Sequence, residues 1–479
     1  MKTRAKAAYG DFQTPPALAQ EVLQRIVQWL ASRGDAPATV IEPTCGIGAF
    51  LLAAAKALPR ARLHGLEIDP ARAGRARAAR REAGHEAEIR VGDAFDEPWG
   101  EQLAGWPDPV LVLGNPPWVT SAELTVLGVD NLPAKSNFKA LPGLAALTGK
   151  SNFDVSEWML LRWLELGQGR PLTVAMLVKT AVARRVLEHA HRQGLALHDA
   201  TLHRIDARAS FGAAVDAGLL CFGTARDQPI RCPVYASLDA PGPEAEIGIR
   251  DGRLVADAEA YERARPALGT ADPPWRSGIK HDCARVMELR REGEGLVNGL
   301  GEPASVEASV VYPLLKSSDL RGDDLPEARR WLLLPQRRLG EDTARLAVQA
   351  PAAWRYLLAH AQALDARRSS IYRGQPRFCV FGLGEYSFAP WKIAISGLSK
   401  RAAFTLVGPD AAGRPTLLDD TCYFIGFDDQ ARARTALSRL RSEPVAALLQ
   451  ALVFRDAKRP VTKEVLDRIQ LDRIDLGDG

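Results

Sequence analysis

The apolar positions in the first half of the chain alternate between two periods. Residues 16–32 place apolar side chains along one helical face, and short apolar runs follow at 39–42, 62–67, 89–91, 110–113, 172–177 and 219–222. A glycine turn separates the first run from a second helical stretch ending near Leu58. After the second run, Asp69 and Pro70 supply a helix N-cap and first turn. Strands separated by helices predict an α/β fold with a parallel, doubly wound sheet over residues 1–240. The pattern changes near Asp239. Residues 240–253 predict a linker entering a hairpin, and beyond them the period is irregular. Strand-like runs at 310–315, 331–335, 377–381 and 392–396 precede helical stretches at 429–440 and 445–453, so residues 241–479 predict a separate mixed α+β domain.

Composition narrows the class. The chain has 479 residues, 46% hydrophobic and 25% charged, which excludes a disordered chain, and its length exceeds what one core usually supports. A net charge of only +4 confines any nucleic-acid surface to a local patch. Six cysteines, at 45, 221, 232, 283, 379 and 422, form no CxxC pair, which argues against a structural zinc site and against a disulfide scaffold. No apolar run approaches the ~18 residues of a membrane span, and the basic start has no apolar stretch behind it as a signal peptide requires. The expectation is a soluble protein of a reducing compartment, with no metal and no membrane contact.

Candidate chemistry begins at Glu42-Pro43-Thr44-Cys45-Gly46-Ile47-Gly48-Ala49-Phe50, where the first strand breaks into a helix. Gly46 and Gly48 permit a tight turn and close approach of a ligand to the backbone. Glu67, 21 residues after Gly46 and at the end of the next strand, suits a carboxylate that accepts from two ribose hydroxyls. Asp93, in Val91-Gly92-Asp93-Ala94-Phe95, can accept from an adenine amine. A dinucleotide fingerprint needs a third glycine, which is absent after Gly48. The acid ahead of the turn suits a ligand with an ammonium and no phosphate, as in S-adenosylmethionine. An ordinary strand–turn–helix corner is the plain alternative.

The fourth strand ends in Asn115-Pro116-Pro117-Trp118. Two prolines fix the backbone and remove two donors, leaving carbonyls able to accept from a ligand. An aromatic exocyclic amine is a poor nucleophile because its lone pair is delocalised. Two acceptors on its N–H groups, the Asn115 side-chain oxygen and the Pro116 carbonyl, would draw the nitrogen toward tetrahedral geometry and aim the lone pair at a methyl donor. Trp118 offers a face for a planar base or amide.

On these motifs the N-terminal half resembles the amino-methyltransferases that act on DNA, particularly the gamma-group, Taq-type N6-adenine enzymes of the class I superfamily. The resemblance covers about residues 11–225 and, more weakly, 275–345. It implies a Rossmann-like methyltransferase domain at 1–240, a target-recognition domain at 241–479, and S-adenosyl-L-methionine as cofactor. Phe12-Gln13-Thr14-Pro15 looks like the family's N-terminal cofactor motif, and the implied cofactor set is Thr14, Glu42, Pro43, Cys45, Gly46, Gly48, Glu67, Ile68, Asp93, Ala94 and Phe95. Gly149-Lys150-Ser151-Asn152-Phe153 resembles its next motif. Arg208-Ala209-Ser210-Phe211-Gly212 is similar to the segment with the second base-stacking aromatic, which makes Phe211 the partner of Trp118 around a flipped base. Trp at position 118 departs from the commoner Tyr or Phe and bears on base preference. Enzymes for the cytosine N4 amine more often carry Ser in place of Asn115. The cytosine C5 enzymes need a Pro-Cys dipeptide, which this chain lacks, and Cys45 reads as a packing residue.

NPP motifs also serve methyltransferases of RNA and of protein glutamine, but those are compact, so the second half needs a purpose. Residues 367–401 hold seven Lys or Arg against one acid, Glu385, with Tyr372, Phe378, Phe381, Tyr386, Phe388 and Trp391 interleaved. That pattern suits a phosphate-contacting, base-reading surface with Arg368, Tyr372, Arg373, Arg377, Lys392 and Lys400 as its contacts, or else a solvated face over an aromatic core. Residues 311–320 also resemble the segment entering the Taq-type recognition domain. The Arg72–Arg81 cluster reads as a solvent-facing helix surface. The resulting expectation is a monomer in the bacterial cytoplasm, associated with the nucleoid. It would methylate N6 of adenine in double-stranded DNA, with any restriction endonuclease encoded separately. N4-cytosine, RNA and glutamine are the alternative acceptors.

Overall fold

The computed structural model describes residues 13–120, 154–320, 322, 325, 328–457 and 459–473. The chain divides into two compact units, Met1–Glu259 and Ala260–Gly479.

The first unit opens with α1 (Pro16–Ser32), β1 (Thr39–Glu42), α2 (Ala49–Ala57), β2 (Arg62–Glu67), α3 (Pro70–Glu82), β3 (Glu88–Val91), α4 (Trp99–Gly105) and β4 (Val110–Gly114). After α5 (Val155–Leu166) come β5 (Leu172–Lys179), α6 (Thr180–Gln193), β6 (His198–Ile205), the short α7 (Ala207–Phe211) and β7 (Ala217–Gly223). Helix α1 buries Leu18, Val22, Leu23, Ile26, Trp29 and Leu30, a three-and-four spacing that forms one stripe. That stripe packs with Phe50, Leu51 and Ala54 of α2 against Leu111, Leu113, Leu177 and Leu219 of the strands. Asp69 caps α3 by accepting from Ala71 N at 2.8 Å, an interaction worth about 1 kcal/mol.

Among the described residues ten strands form one sheet, in the order β10 (Arg253–Val255), β9 (Ala245–Arg250), β8 (Arg231–Tyr235), then β6-β7-β5-β4-β1-β2-β3. The sheet is mixed rather than wholly parallel. β1 to β5 run parallel, but β7 lies antiparallel to both β5 and β6. Beyond β6 the sheet continues through β8 (Arg231–Tyr235), β9 (Ala245–Arg250) and β10 (Arg253–Val255). The 240/241 boundary expected from sequence therefore falls inside this unit. The linker does enter a hairpin, turning at Asp251 and Gly252 with φ of 48° and 72°, but the hairpin pairs back onto β8 and extends the first sheet. Strand β6 was not apparent in the sequence because its interior is polar. His203 is fully buried, stacks on Tyr235 and accepts from Arg25 Nε at 3.1 Å, and burial pushes its pKa down to about 4.

Among its described residues the second unit holds two sheets. One is four-stranded, β11 (Arg276–Ser277), β19 (Cys422–Phe427), β16 (Trp391–Ser396) and β17 (Phe404–Val407). The other is five-stranded, ordered β13 (Gly295–Asn298), β12 (Glu288–Glu292), β15 (Trp331–Leu333), β14 (Val311–Leu315) and β18 (Leu417–Leu418). Helix α8 (Pro351–Ala359) packs in one core with Leu314 and Leu332, and α9 (Gln430–Leu440) and α10 (Glu443–Leu452) pack in another with Ile393 and Ile425. The run at 377–381 is not a strand. Phe378 takes φ 67°, a left-handed conformation that breaks an extended chain, and it buries its ring against Trp354.

Candidate active site

The strand order of the first unit reverses between β1 and β4, the position in an open α/β sheet where a crevice opens beyond the strand ends. Glu42 ends β1, Glu67 ends β2, Asp93 follows β3 and Asn115 follows β4. One cavity collects them. Its wall contains Thr14, Glu42, Pro43, Cys45, Gly46, Glu67, Ile68, Asp93, Ala94, Phe95, Asn115 and Pro117.

Glu42 and Glu67 are both buried, 3% and 5% exposed. Glu67 Oε2 accepts from Gly46 N at 2.8 Å and its Oε1 from Asp69 N at 3.0 Å, so this carboxylate ties the glycine turn to the start of α3. Burial, reinforced by the like charge of Glu67, pushes the Glu42 carboxyl well above its ordinary value, against an opposing N–H at Leu51. Glu42 Oε2 and Thr44 Oγ1 are buried and accept or donate no hydrogen bond among the described residues. Burial also raises Asp93, against the Phe95 N–H that donates to its Oδ1 at 2.9 Å. Ile68 keeps 49% of its surface exposed at the cavity wall.

Such a donor set discriminates between ligands. Two buried carboxylates repel a pyrophosphate, whereas an ammonium relieves them and hydroxyls or an aromatic amine donate to them. The residues therefore fit a ligand carrying an ammonium, a ribose and an adenine.

Two glycines hold this geometry. A Cβ on Gly48 would stand 3.1 Å from Ala76 Cβ, so its absence lets α2 pack close to α3. Gly48 does not line the cavity, and its work is helix packing rather than the ligand approach expected from the motif. Gly114, which the sequence reading passed over, has φ 146°. A side chain there would be strained and would press on Glu42 Cγ at 3.4 Å.

Asn115 Nδ2 donates to Thr14 Oγ1 at 3.3 Å, joining two residues 101 positions apart. Trp118 is 4% exposed, and its Nε1 donates to Leu177 O at 3.1 Å. Phe211 meets it edge to face, ring centroids 5.3 Å apart and planes at 78°. The two aromatics are thus neighbours, but in contact with each other. A base stacked on both faces needs parallel rings roughly 7 Å apart, two van der Waals gaps. Pro116 and Trp118 sit behind the cavity wall rather than in it. Phe12 and the 149–153 motif lie outside the described residues.

Sequence reasoning missed Gln13, Val155 and Met159 as lining residues, and it assigned Arg72 to the solvent-facing helix surface. Arg72 lies in the first turn of α3 and lines the cavity, with Nε 3.3 Å from Asp69 Oδ2. The Asp69-Pro70 N-cap was the available signal, because it orients that turn toward the strand ends.

In the second unit, Arg368, Arg373 and Lys400 are exposed, and Arg377 is exposed and paired with Asp365 at 2.7 Å. Tyr372 is half-buried, its ring beneath the Arg367 guanidinium at 3.8 Å. Lys392 is not on a surface at all. It is 1% exposed, its Nζ donates to Ala389 O at 2.6 Å, and burial pushes its pKa down to about 7. Both faces of β16 are covered, so Lys392, on the face of Ala394 and Ser396, is buried as fully as Ile393 and Ile395 on the other. The interleaved aromatics pack inward: Phe378 on Trp354, Tyr372 on Phe381 and Phe388 on Tyr312.

No family model matches the chain. Over 473 residues, 98% of this chain and 97% of its relative, it is 38% identical to the type II methyltransferase M.NspV of Nostoc sp. (strain ATCC 29411 / PCC 7524). The chain belongs to the type II methyltransferases. As a member it is a methyltransferase, with S-adenosyl-L-methionine as methyl donor. Among solved structures, the type IIL restriction-modification enzyme MmeI, in complex with DNA, matches with a TM-score of 0.53 at 15% identity, over 94% of this chain and 64% of that one. At that identity the likeness concerns the fold, a Rossmann-like methyltransferase sheet followed by a further domain. Among the described residues no helix is long and apolar enough to cross a membrane, and no group of His, Cys, Asp and Glu is arranged to hold a metal ion.

Proposed function

We propose that this methyltransferase acts on the N6 amine of adenine in double-stranded DNA, as the modification enzyme of a restriction system. The observation that carries the reading is that Asn115 shares one cavity wall with Glu42, Glu67 and Asp93. An amine held by Asn115 therefore adjoins the donor pocket. Membership of the type II methyltransferases supports DNA as the acceptor, as does the fold likeness to an enzyme solved with DNA.

When bound, S-adenosylmethionine supplies an electrophilic methyl group on a sulfonium. Glu42 and Thr44 would hold its ammonium end, Glu67 the ribose hydroxyls and Asp93 the adenine amine, with Ile68 and Phe95 against the adenine rings. Asn115 Oδ1 and the Pro116 carbonyl accept from the two N–H bonds of the target amine and hold its lone pair toward the donor. Trp118 and Phe211 take the extruded base, which requires Phe211 to move off Trp118. The exposed cations Arg368, Arg373, Arg377 and Lys400 contact phosphates from the second unit, without Lys392.

The test offers the protein S-adenosylmethionine with, separately, duplex DNA of mixed sequence, RNA and cell-extract protein. Each is digested to monomers and its methylated species identified by mass spectrometry. N6-methyladenine confined to DNA is expected. N4-methylcytosine keeps the mechanism and replaces the base, whereas methyl on RNA or glutamine overturns the role given to the second unit. Asp93→Ala is expected to weaken cofactor binding, read by calorimetry.

A further inference from the structure

Trp118 is held from two directions by one strand. Leu177 O accepts from its indole Nε1 at 3.1 Å, and Lys179, the last residue of β5, donates from Nζ to the Trp118 carbonyl at 2.8 Å. The same ammonium lies 2.8 Å from Asp154 Oδ2. Asp154 is 4% exposed and caps α5, its Oδ1 accepting from Ser156 N at 3.1 Å and from Ser156 Oγ at 2.5 Å. Val155 N donates to Val119 O at 2.9 Å, and Thr120 bridges to Asp154.

The arrangement answers a local need. Pro116 and Pro117 have no N–H, so the backbone of the turn after β4 lacks two donors and is held through a carbonyl and through side chains. A mobile Trp118 carbonyl would let the whole Asn115–Trp118 turn rotate, and with it both acceptors for the target amine. An ammonium is the strongest available donor for that carbonyl. The buried Asp154 orients it in an environment where solvent screens the pair less than at the surface.

We propose that Lys179 is a positioning residue for methyl transfer. Its ammonium, oriented by Asp154, clamps the Trp118 carbonyl and thereby sets how the Asn115–Trp118 turn meets the acceptor. The inference rests on the reading of that turn as the acceptor site. Lys179 does not line the cavity, so its loss is expected to slow the chemical step and leave both affinities unchanged.

Lys179→Met and Lys179→Arg are compared with wild type in the full-length protein. Steady-state methylation of duplex DNA, cofactor titration calorimetry, melting temperature and 19F NMR of 5-fluorotryptophan-labelled protein are measured, with Trp118 assigned by Trp118→Phe. Lys179→Met is expected to lower kcat about 10- to 100-fold, the loss of one charged hydrogen bond, with unchanged KM for DNA and unchanged cofactor affinity. Lys179→Arg restores part of kcat, and the Trp118 resonance shifts in the Met variant while the other tryptophans hold. Wild-type kcat with an unmoved Trp118 resonance overturns the proposal. A parallel fall of kcat, cofactor affinity and melting temperature also overturns it, because it marks a merely structural lysine. If the wild type methylates no duplex DNA, the acceptor reading is what fails, and the 19F resonance still decides whether the clamp exists.

Discussion

Two carboxylates withdrawn from solvent, the half-buried Glu288 of the second unit and the buried Glu42 of the first, show opposite solutions to the same electrostatic problem. Burial alone would raise Glu288 in the second unit, yet hydrogen bonds from His281 and Lys316 outweigh it and hold its pKa at about 2. In the first unit, Glu42 faces a second carboxylate instead of a cation, and its pKa goes up. At Glu288 the second unit settles the charge with its own cations, as a core does. The first keeps an acceptor oxygen unmet at the end of β1, at a cost in stability that a cationic ligand removes.

Substitutions in the two units test that contrast. The largest effect is expected from Asn115→Ala, which lowers methyl transfer by about 100- to 1,000-fold, the loss of one preorganised polar group, while cofactor affinity holds. Labelled-methyl transfer and calorimetry check it, and turnover near wild type would sink the mechanism.

Glu42→Gln comes next. Cofactor affinity is expected to fall about 10- to 100-fold, the range for one charged hydrogen bond, while the melting temperature without cofactor rises. The raised pKa means that the folded state holds a proton which the unfolded chain has already released. Wild-type stability therefore declines as pH climbs from the ordinary carboxylate range toward the raised value, and the Gln variant flattens that decline. A lower melting temperature in the variant would show that Glu42 is an ordinary structural acid.

Lys392→Met probes the other unit. The folded pKa of about 7 lies below the ordinary 10.5, so between those values the unfolded chain binds the extra proton and stability rises with pH. Replacing Lys392 by Met should raise the melting temperature by about 2–4 °C per kcal/mol and abolish that slope, with DNA affinity unchanged. Loss of DNA affinity would return Lys392 to the contact set. The smallest effects belong to Arg368→Ala, Arg373→Ala and Lys400→Ala. Each is expected to reduce the salt dependence of duplex binding by about one unit of slope, read by titration at several ionic strengths.

The first unit was legible in sequence because its elements are local and strongly periodic. Helix α1 and strands β1 and β2 lie where the pattern puts them, and the glycine turn, Glu67, Asp93 and Asn115 each follow a strand. Strand β6 and the added hairpin were not legible, because a polar strand becomes a core strand only when its histidines find partners elsewhere in the chain. In the second unit, the basic stretch at 367–401 reads as a surface only where its residues are viewed by charge. Burial separates Lys392 from Arg373 although both belong to the same run.

The pattern along the chain established the helix–strand alternation from α1 to β3, strands β4, β5 and β7, and the chemical identity of the candidate site residues. Periodicity and motif spacing are properties of neighbours along the chain. Only the tertiary structure decided that Thr14 meets Asn115, that Gly48 serves helix packing, that Trp118 and Phe211 touch, and that Lys179 reaches the Trp118 carbonyl. Those facts depend on which strand lies beside which, and that is set when the sheet assembles and its side chains compete for the same interior.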